Sequence, residues 1–451
     1  MRRIVLAALL AATLVACSDG DDGDHGGGGA SEVDAPSIED LSSGLQAQVA
    51  WLLAYVNGDP SADADVESRL AESFLAAVPI AELEGLADAQ LRPAVPYSVS
   101  AIERADDTSA SILLTSATQT VRMEVRIEPE SPHRITELLF RPAAPPDAEP
   151  LASWADLDRR LADAASSTAL LAAEVVDGEC APIHATAADR AMPVASAFKL
   201  YVLGALAEEV EAGRASWDEQ LTIRDDHRVH SSADHGTAPA GAPVALGALA
   251  ASMIAVSDNT ATDHVIARIG REAIEAVLEP MGMADPSRNR PFLTTAEVTR
   301  LKYLADDELR ERWIQADEAG RRDLLATLPA GPVTDAAMGA VASPEPVAVQ
   351  EIEWFASAED LCRAHVALAA MGAEVERVLG ANRGVDIDTD RWPSVAFKGG
   401  SEPGVLALSW LATRDDGRRF VLVALLADAE QAIPAALPVD VAAAFDLLSE
   451  A

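Results

Sequence analysis

Pro193-Val194-Ala195-Ser196-Ala197-Phe198-Lys199 opens an apolar stretch that runs to Ala212 and stops at Gly213. Its length and pattern predict a helix, and a glycine just past the last turn is a common stop. Ser196 and Lys199 are three residues apart, so a helical first turn puts both on one face, where the amine can reach the hydroxyl. Serine is a poor nucleophile until a base takes its proton, and a lysine withdrawn from water, with its pKa lowered, can be that base. The positive end of the helix then lies where an oxyanion would develop. A Ser-x-x-Lys spacing alone is weak, because chance supplies it often. Lysine itself is scarce: the chain holds three, Lys199, Lys302 and Lys398, and every other base is arginine. That scarcity fits lysine kept where a titratable amine is needed, and equally a GC-rich genome.

Two further stretches join the first. Ser257-Asp258-Asn259 sits between the apolar run Leu246 to Val256 and another beginning at Thr260; in isolation it reads as a helix break with polar caps. Lys398-Gly399-Gly400-Ser401 ends the strand-like stretch that begins at Ser394, and in isolation is an ordinary strand exit. Taken in this order and these contexts, the three resemble the Ser-x-x-Lys, Ser-Asp-Asn and Lys-Thr-Gly set of class A β-lactamases and penicillin-binding proteins. The resemblance covers about Trp154 to Ala451 and implies a sheet flanked by helices beside an all-helical lobe. It implies Ser196 as the acylated nucleophile, Lys199 as its base and Ser257 as proton relay to the leaving group. Asn259, Gly400 and Ser401 would contact substrate, Lys398 would supply positive charge, and the backbone N–H groups of Ser196 and Ser401 would form the oxyanion hole. No cofactor or metal is implied.

The match has departures. Class A enzymes carry a Glu-x-x-Leu-Asn loop whose glutamate activates the deacylating water, and none stands between Asn259 and Lys398. Arg290 to Thr295 leads directly toward the next helix, with Glu297 the nearest carboxylate, read as a solvated helix residue. Gly399 replaces the usual hydroxyl residue, Glu402 adds negative charge beside the oxyanion hole, and Val405 to Leu411 contains no arginine for a substrate carboxylate. His227, His230 and His235 match no zinc spacing and read as a rim or surface loop.

The rest of the chain frames this domain. Arg2 and Arg3 precede an apolar run, Ile4 to Val15, too short to span a bilayer, followed by Leu14-Val15-Ala16-Cys17, which resembles a bacterial lipobox with Cys17 as the lipidated residue. Ser18 after that cysteine implies, by the sorting rule of such lipoproteins, an outer-membrane destination in a Gram-negative source. Residues 1–17 are thus expected as signal peptide and 18–36, rich in Gly, Asp and Ser, as a flexible tether. Over 37–141 helical spacing at Val49, Leu52, Leu53 and Val56 is followed by strand alternation at Val121, Met123, Val125 and Ile127. This predicts a small helix-plus-antiparallel-sheet domain. Prolines mark 142–152 as a linker, and 153–451 is the hydrolase-like domain, with one strand near Leu170 to Val176, a helical middle, three strands at the end and a closing helix from Val439 to Leu448. The whole is α+β and resembles the two-domain β-lactamase-like protein of clavulanic acid biosynthesis, whose first domain is cyclase- or isomerase-like.

With 73 acidic against 34 basic residues the net charge is −39, which repels nucleic acid and anionic lipid. The expected partner is a small acyl substrate, with membrane contact only through the lipid on Cys17, in an extracytoplasmic monomer. Cys180 and Cys362 can pair in an oxidising compartment or remain as two buried thiols. The function expected is a serine hydrolase acting through a Ser196 acyl-enzyme on an ester, amide or β-lactam, with weak β-lactamase activity. An efficient class A-like β-lactamase and a non-catalytic or acyl-trapping scaffold are the rival readings.

Overall fold

A computed structural model describes residues 37–451 apart from 77, 79, 231, 335–337, 339–344, 435 and 436. Cys17, the expected signal segment and the tether lie outside the described residues. The chain forms two compact units, Met1–Pro150 with Pro434–Ala442, and Leu151–Ile433 with Ala443–Ala451. Among the described residues no helix is long and apolar enough to cross a membrane.

In the first unit, helix α1 (Ser43–Val56) is capped by Ser42, whose hydroxyl accepts from the Leu45 N–H. Its buried Leu45, Val49, Leu52 and Val56 form one stripe, as the spacing predicts. Four strands follow as an antiparallel meander: β1 (Ser98–Ala105), β2 (Ser109–Thr115), β3 (Thr120–Ile127) and β4 (Ile135–Pro142). In β3 the apolar residues Val121, Met123, Val125 and Ile127 join the buried core with α1. The intervening Arg122 and Arg126 point the other way and pair with Glu103 and Glu137. The strand's period of two therefore sorts core from surface without further help.

The second unit begins with α2 (Trp154–Ala164), capped by Ser153, and the hairpin β5 (Ser167–Val176) and β6 (Glu179–Thr186). Its helical part includes α3 (Lys199–Glu211), α4 (Leu246–Ala255), α5 (Asn259–Ile269) and α6 (Ala358–Ala369). Every residue of α3 from Lys199 to Ala207 is buried, so this helix is surrounded on all sides. The chain then returns through β7 (Ser394–Glu402), β8 (Val405–Thr413) and β9 (Arg419–Ala427). The sheet order is β7-β8-β9-β5-β6, all antiparallel, so strands from both ends of the unit pair in its middle. Both faces of β8 and β9 are covered, which explains their nearly unbroken apolar sequences.

Two details differ from the sequence reading. One strand was expected before the helical stretch, and there are two. The strand β6 escapes the pattern because it is a largely exposed edge, contains Pro182, and carries a register shift opposite Ala172 and Ala173. The closing helix is broken into Leu437–Ala442 and Ala444–Ser449, which belong to different units. A disulfide joins Cys180 on β6 to Cys362 on α6, with Cα atoms 6.5 Å apart, and resolves the two open alternatives in favour of pairing.

Candidate active site

The turn that carries Ser196 is held from both sides. Met192–Pro193 pairs with Phe355–Ala356, and the Val194 N–H donates to the Trp354 carbonyl at 2.9 Å. Ala195 then adopts φ +41°, a sparsely populated conformation for a residue with a Cβ, and residues Ala195–Phe198 make one tight turn leading into α3. The helix proper starts at Lys199, three residues later than the sequence pattern implies. Phe198 stacks on Trp354 with ring centroids 3.7 Å apart and meets Phe292 edge-on, anchoring the turn from below.

Lys199 is fully buried, and its Nζ lies within hydrogen-bonding distance of Ser196 Oγ (3.1 Å), Ser257 Oγ (3.0 Å), the Ser257 carbonyl (2.6 Å) and Asn259 Oδ1 (2.8 Å). Burial pulls its pKa down to about 7, although the nearby Asp258 and Asp263 carboxylates favour the charged form. Ser257 has φ +60° at the break between α4 and α5, a strained position that turns its hydroxyl toward both lysines. On its far side Lys398 Nζ donates to the same Ser257 Oγ at 3.0 Å and to the Gly399 carbonyl at 2.6 Å. Lys398 is also buried, and burial followed by repulsion from Lys199 lowers its pKa well below the ordinary value.

The middle motif is a helix cap as well as a site. Asp258 is buried and caps α5 by accepting from the Ala261 N–H at 2.8 Å. The Asn259 amide bridges Lys199 and the His230 carbonyl, the latter at 3.1 Å. A substrate contact by Asn259 has the second N–H of that amide and the second lone pair of its oxygen to use. His235 Nδ1 lies 3.5 Å from Asp258, and His264 Nε2 accepts from the Arg224 N–H. His230 and His235 thus back the Ser257–Asn259 segment rather than forming a detached rim. No group of three or more His, Cys, Asp or Glu among the described residues could hold a metal ion.

Gly400 is packed against the nucleophile turn: a Cβ there would fall 2.4 Å from both the Ser196 nitrogen and the Val194 carbonyl. Only glycine lets β7 lie this close, and Ser401 follows it, half-buried. β7 is supported from behind by Ser409, whose hydroxyl donates to the Lys398 carbonyl at 2.7 Å and lies 3.1 Å from His365 Nε2. His365 is fully buried, which lowers its pKa to about 4 and keeps it neutral. Neither residue carries a sequence signal: Ser409 is a single hydroxyl within an apolar run, and His365 is one of several polar residues on α6.

Two expectations about carboxylates change. Glu297 is not a solvated helix residue: it closes a capping box with Thr294 and pairs with Arg271 at 2.7 Å. Glu402 does not leave a bare charge beside Ser401, because Lys302 is bonded to it and the Tyr303 hydroxyl donates to it at 3.2 Å.

A helix-borne serine and lysine, a serine from an interhelical turn and a lysine from a sheet strand, all on one hydrogen-bonded chain, place the second unit among the serine hydrolases of the β-lactamase-like superfamily. Residues 154–336 match the model of the beta-lactamase enzyme family. Residues 42–131 match the model described as ORF 12 gene product N-terminal. No curated protein matches the chain. Among solved structures, a β-lactamase from Sphaerobacter thermophilus is 18% identical over 66% of this chain and 97% of its own, with a TM-score of 0.46. A β-lactamase from Chitinophaga pinensis is 14% identical over 66% of this chain and 97% of its own, with a TM-score of 0.45. PBP-A is 16% identical over 67% of this chain and 99% of its own, with a TM-score of 0.43.

Proposed function

We propose that this protein hydrolyses an ester, amide or β-lactam through an acyl-enzyme on Ser196. The observation that carries the reading is the unbroken chain Ser196–Lys199–Ser257–Lys398, with links of 3.1, 3.0 and 3.0 Å around an amine whose pKa is near 7. Neutral Lys199 takes the Ser196 proton as the hydroxyl oxygen bonds to the acyl carbon. Ser257, between the two lysines, passes a proton to the leaving group. The backbone N–H groups of Ser196 and Ser401 receive the oxyanion, and Lys398 adds positive potential for an anionic substrate. Deacylation is slow in this reading, because Glu297 is committed to Thr294 and Arg271 and so is a poor activator of water. Weak β-lactamase activity follows.

The same reading places the protein outside the cytoplasm as a monomer anchored by lipid on Cys17, with no nucleic-acid partner. The Cys180–Cys362 disulfide supports an oxidising compartment, and the net charge of −39 argues against nucleic acid. The test is intact mass spectrometry of the full chain after incubation with a cephalosporin and with an activated ester. An adduct absent from Ser196→Ala supports the mechanism, and its decay rate separates a hydrolase from an acyl trap. Folded protein that takes no acyl group from several donors would leave a binding scaffold.

A further inference from the structure

We propose that Lys302 is a positioning residue which, through Glu353 and Glu402, ties together the two backbone segments that present the Ser196 and Ser401 N–H groups to the oxyanion. The inference rests on the acyl-enzyme reading and deepens it. Lys302 belongs to none of the three motifs, yet its side chain is completely buried and it is one of only three lysines in the chain. Its ammonium lies 3.4 Å from Glu353 Oε1 and is hydrogen-bonded to Glu402. The other Glu353 oxygen accepts the Ala195 N–H at 3.1 Å and the Trp354 N–H at 3.1 Å. Ala195 immediately precedes Ser196, and its left-handed φ must be held by something outside the turn. Glu402 immediately follows Ser401 on β7. Glu353 therefore holds the residue before Ser196, Glu402 is the residue after Ser401, and one ammonium touches both.

Burying an ammonium beside Glu402 and Glu353, the latter with its pKa pushed up to about 8 by burial and by the Glu402 charge, is an expensive way to add stability, since apolar residues of like size would serve as well. What the arrangement supplies is direction. It fixes the Ser196 turn against β7, where the missing Cβ of Gly400 already allows close approach. It also offsets the charge of Glu402, which would otherwise oppose an oxyanion forming next to it. Burial works against the charge on Lys302, but Glu402 and Glu353 outweigh it, so the ammonium persists.

The test compares the full chain with its Lys302→Met, Glu353→Ala and Glu353→Gln variants, using a fluorescent penicillin and the infrared band of the acyl-enzyme carbonyl. Lys302→Met and Glu353→Ala are expected to slow acylation about 10–100-fold with little change in noncovalent affinity. The carbonyl band should move to higher frequency as its hydrogen bonds weaken. Glu353→Gln keeps an oxygen for the Ala195 N–H and should recover most of the loss. If Lys302→Met does not fold, Glu353→Ala carries the test, because it removes the acceptor of the Ala195 N–H and should shift the band the same way. Folded Lys302→Met or Glu353→Ala with the parent's acylation rate and band would overturn the positioning role alone. A parent chain that forms no adduct overturns the acyl-enzyme reading, and this role with it.

Discussion

Gly400 and Ser196 touch through their backbones: a Cβ on the glycine would sit 2.4 Å from the serine nitrogen, closer than any real carbon can come. The strand with the last motif and the turn with the first are in direct contact. Gly400→Ala must push β7 or the turn aside by about 1 Å to restore ordinary contact. Acylation is expected to fall by about 100-fold, as reactant misplacement on that scale costs. Stability should fall by about 1–3 kcal/mol from overpacking. Stopped-flow acylation and urea denaturation measure the two effects separately.

The pH dependence follows from Lys199. Its pKa is lowered to about 7, so the amine is charged below that pH and neutral above it. Only the neutral form can take the Ser196 proton, so the acylation rate should rise with pH and level off above about 7. Asp258 raises this pKa, and Asp258→Asn keeps a helix cap while removing the charge. Its midpoint should move to lower pH. An acylation rate that does not change with pH across this range would show that Lys199 is not the base.

Among the described residues, Ser257 is the one hydroxyl within hydrogen-bonding distance of both Lys199 and Lys398. Removing it in Ser257→Ala breaks the path from Lys199 to Lys398 without touching Ser196. Acylation by a poor leaving group should drop by about 100- to 10,000-fold, the usual worth of a positioned proton donor. An activated ester, whose leaving group needs no proton, should be affected far less. Comparing the two substrates in one variant checks the relay role.

The disulfide closes a loop of 182 residues between an edge strand and a helix on the sheet. Replacing both cysteines by serine should cost about 2–5 kcal/mol, chiefly by freeing the unfolded chain. Thermal unfolding with and without a reductant reads this loss. Adduct formation on Ser196 should persist in the folded fraction, because neither cysteine touches the site.

The features legible in the sequence are local. Ser196 and Lys199 share a face because three residues of helix bring them together, and Asp258 caps α5 for the same short-range reason. The strand β3 declares its faces through alternation, and β8 and β9 declare double burial through unbroken apolar runs. The family resemblance added which distant motifs converge. Only the tertiary structure decided matters that depend on three or more separate segments. The pKa of Lys199 is set by removal of water and by two carboxylates, neither visible in a spacing. Glu402, a bare negative charge in the sequence, is neutralised by a lysine a hundred residues earlier, and Glu353 reaches the turn at Ala195 across 158 residues. The edge strand β6 and the Cys180–Cys362 bond were equally illegible, since an exposed strand lacks an apolar signature and a disulfide depends on where two Cα atoms finish. Short-range sterics and periodicity are written residue by residue, whereas burial and long-range charge pairing exist only once the chain has closed on itself.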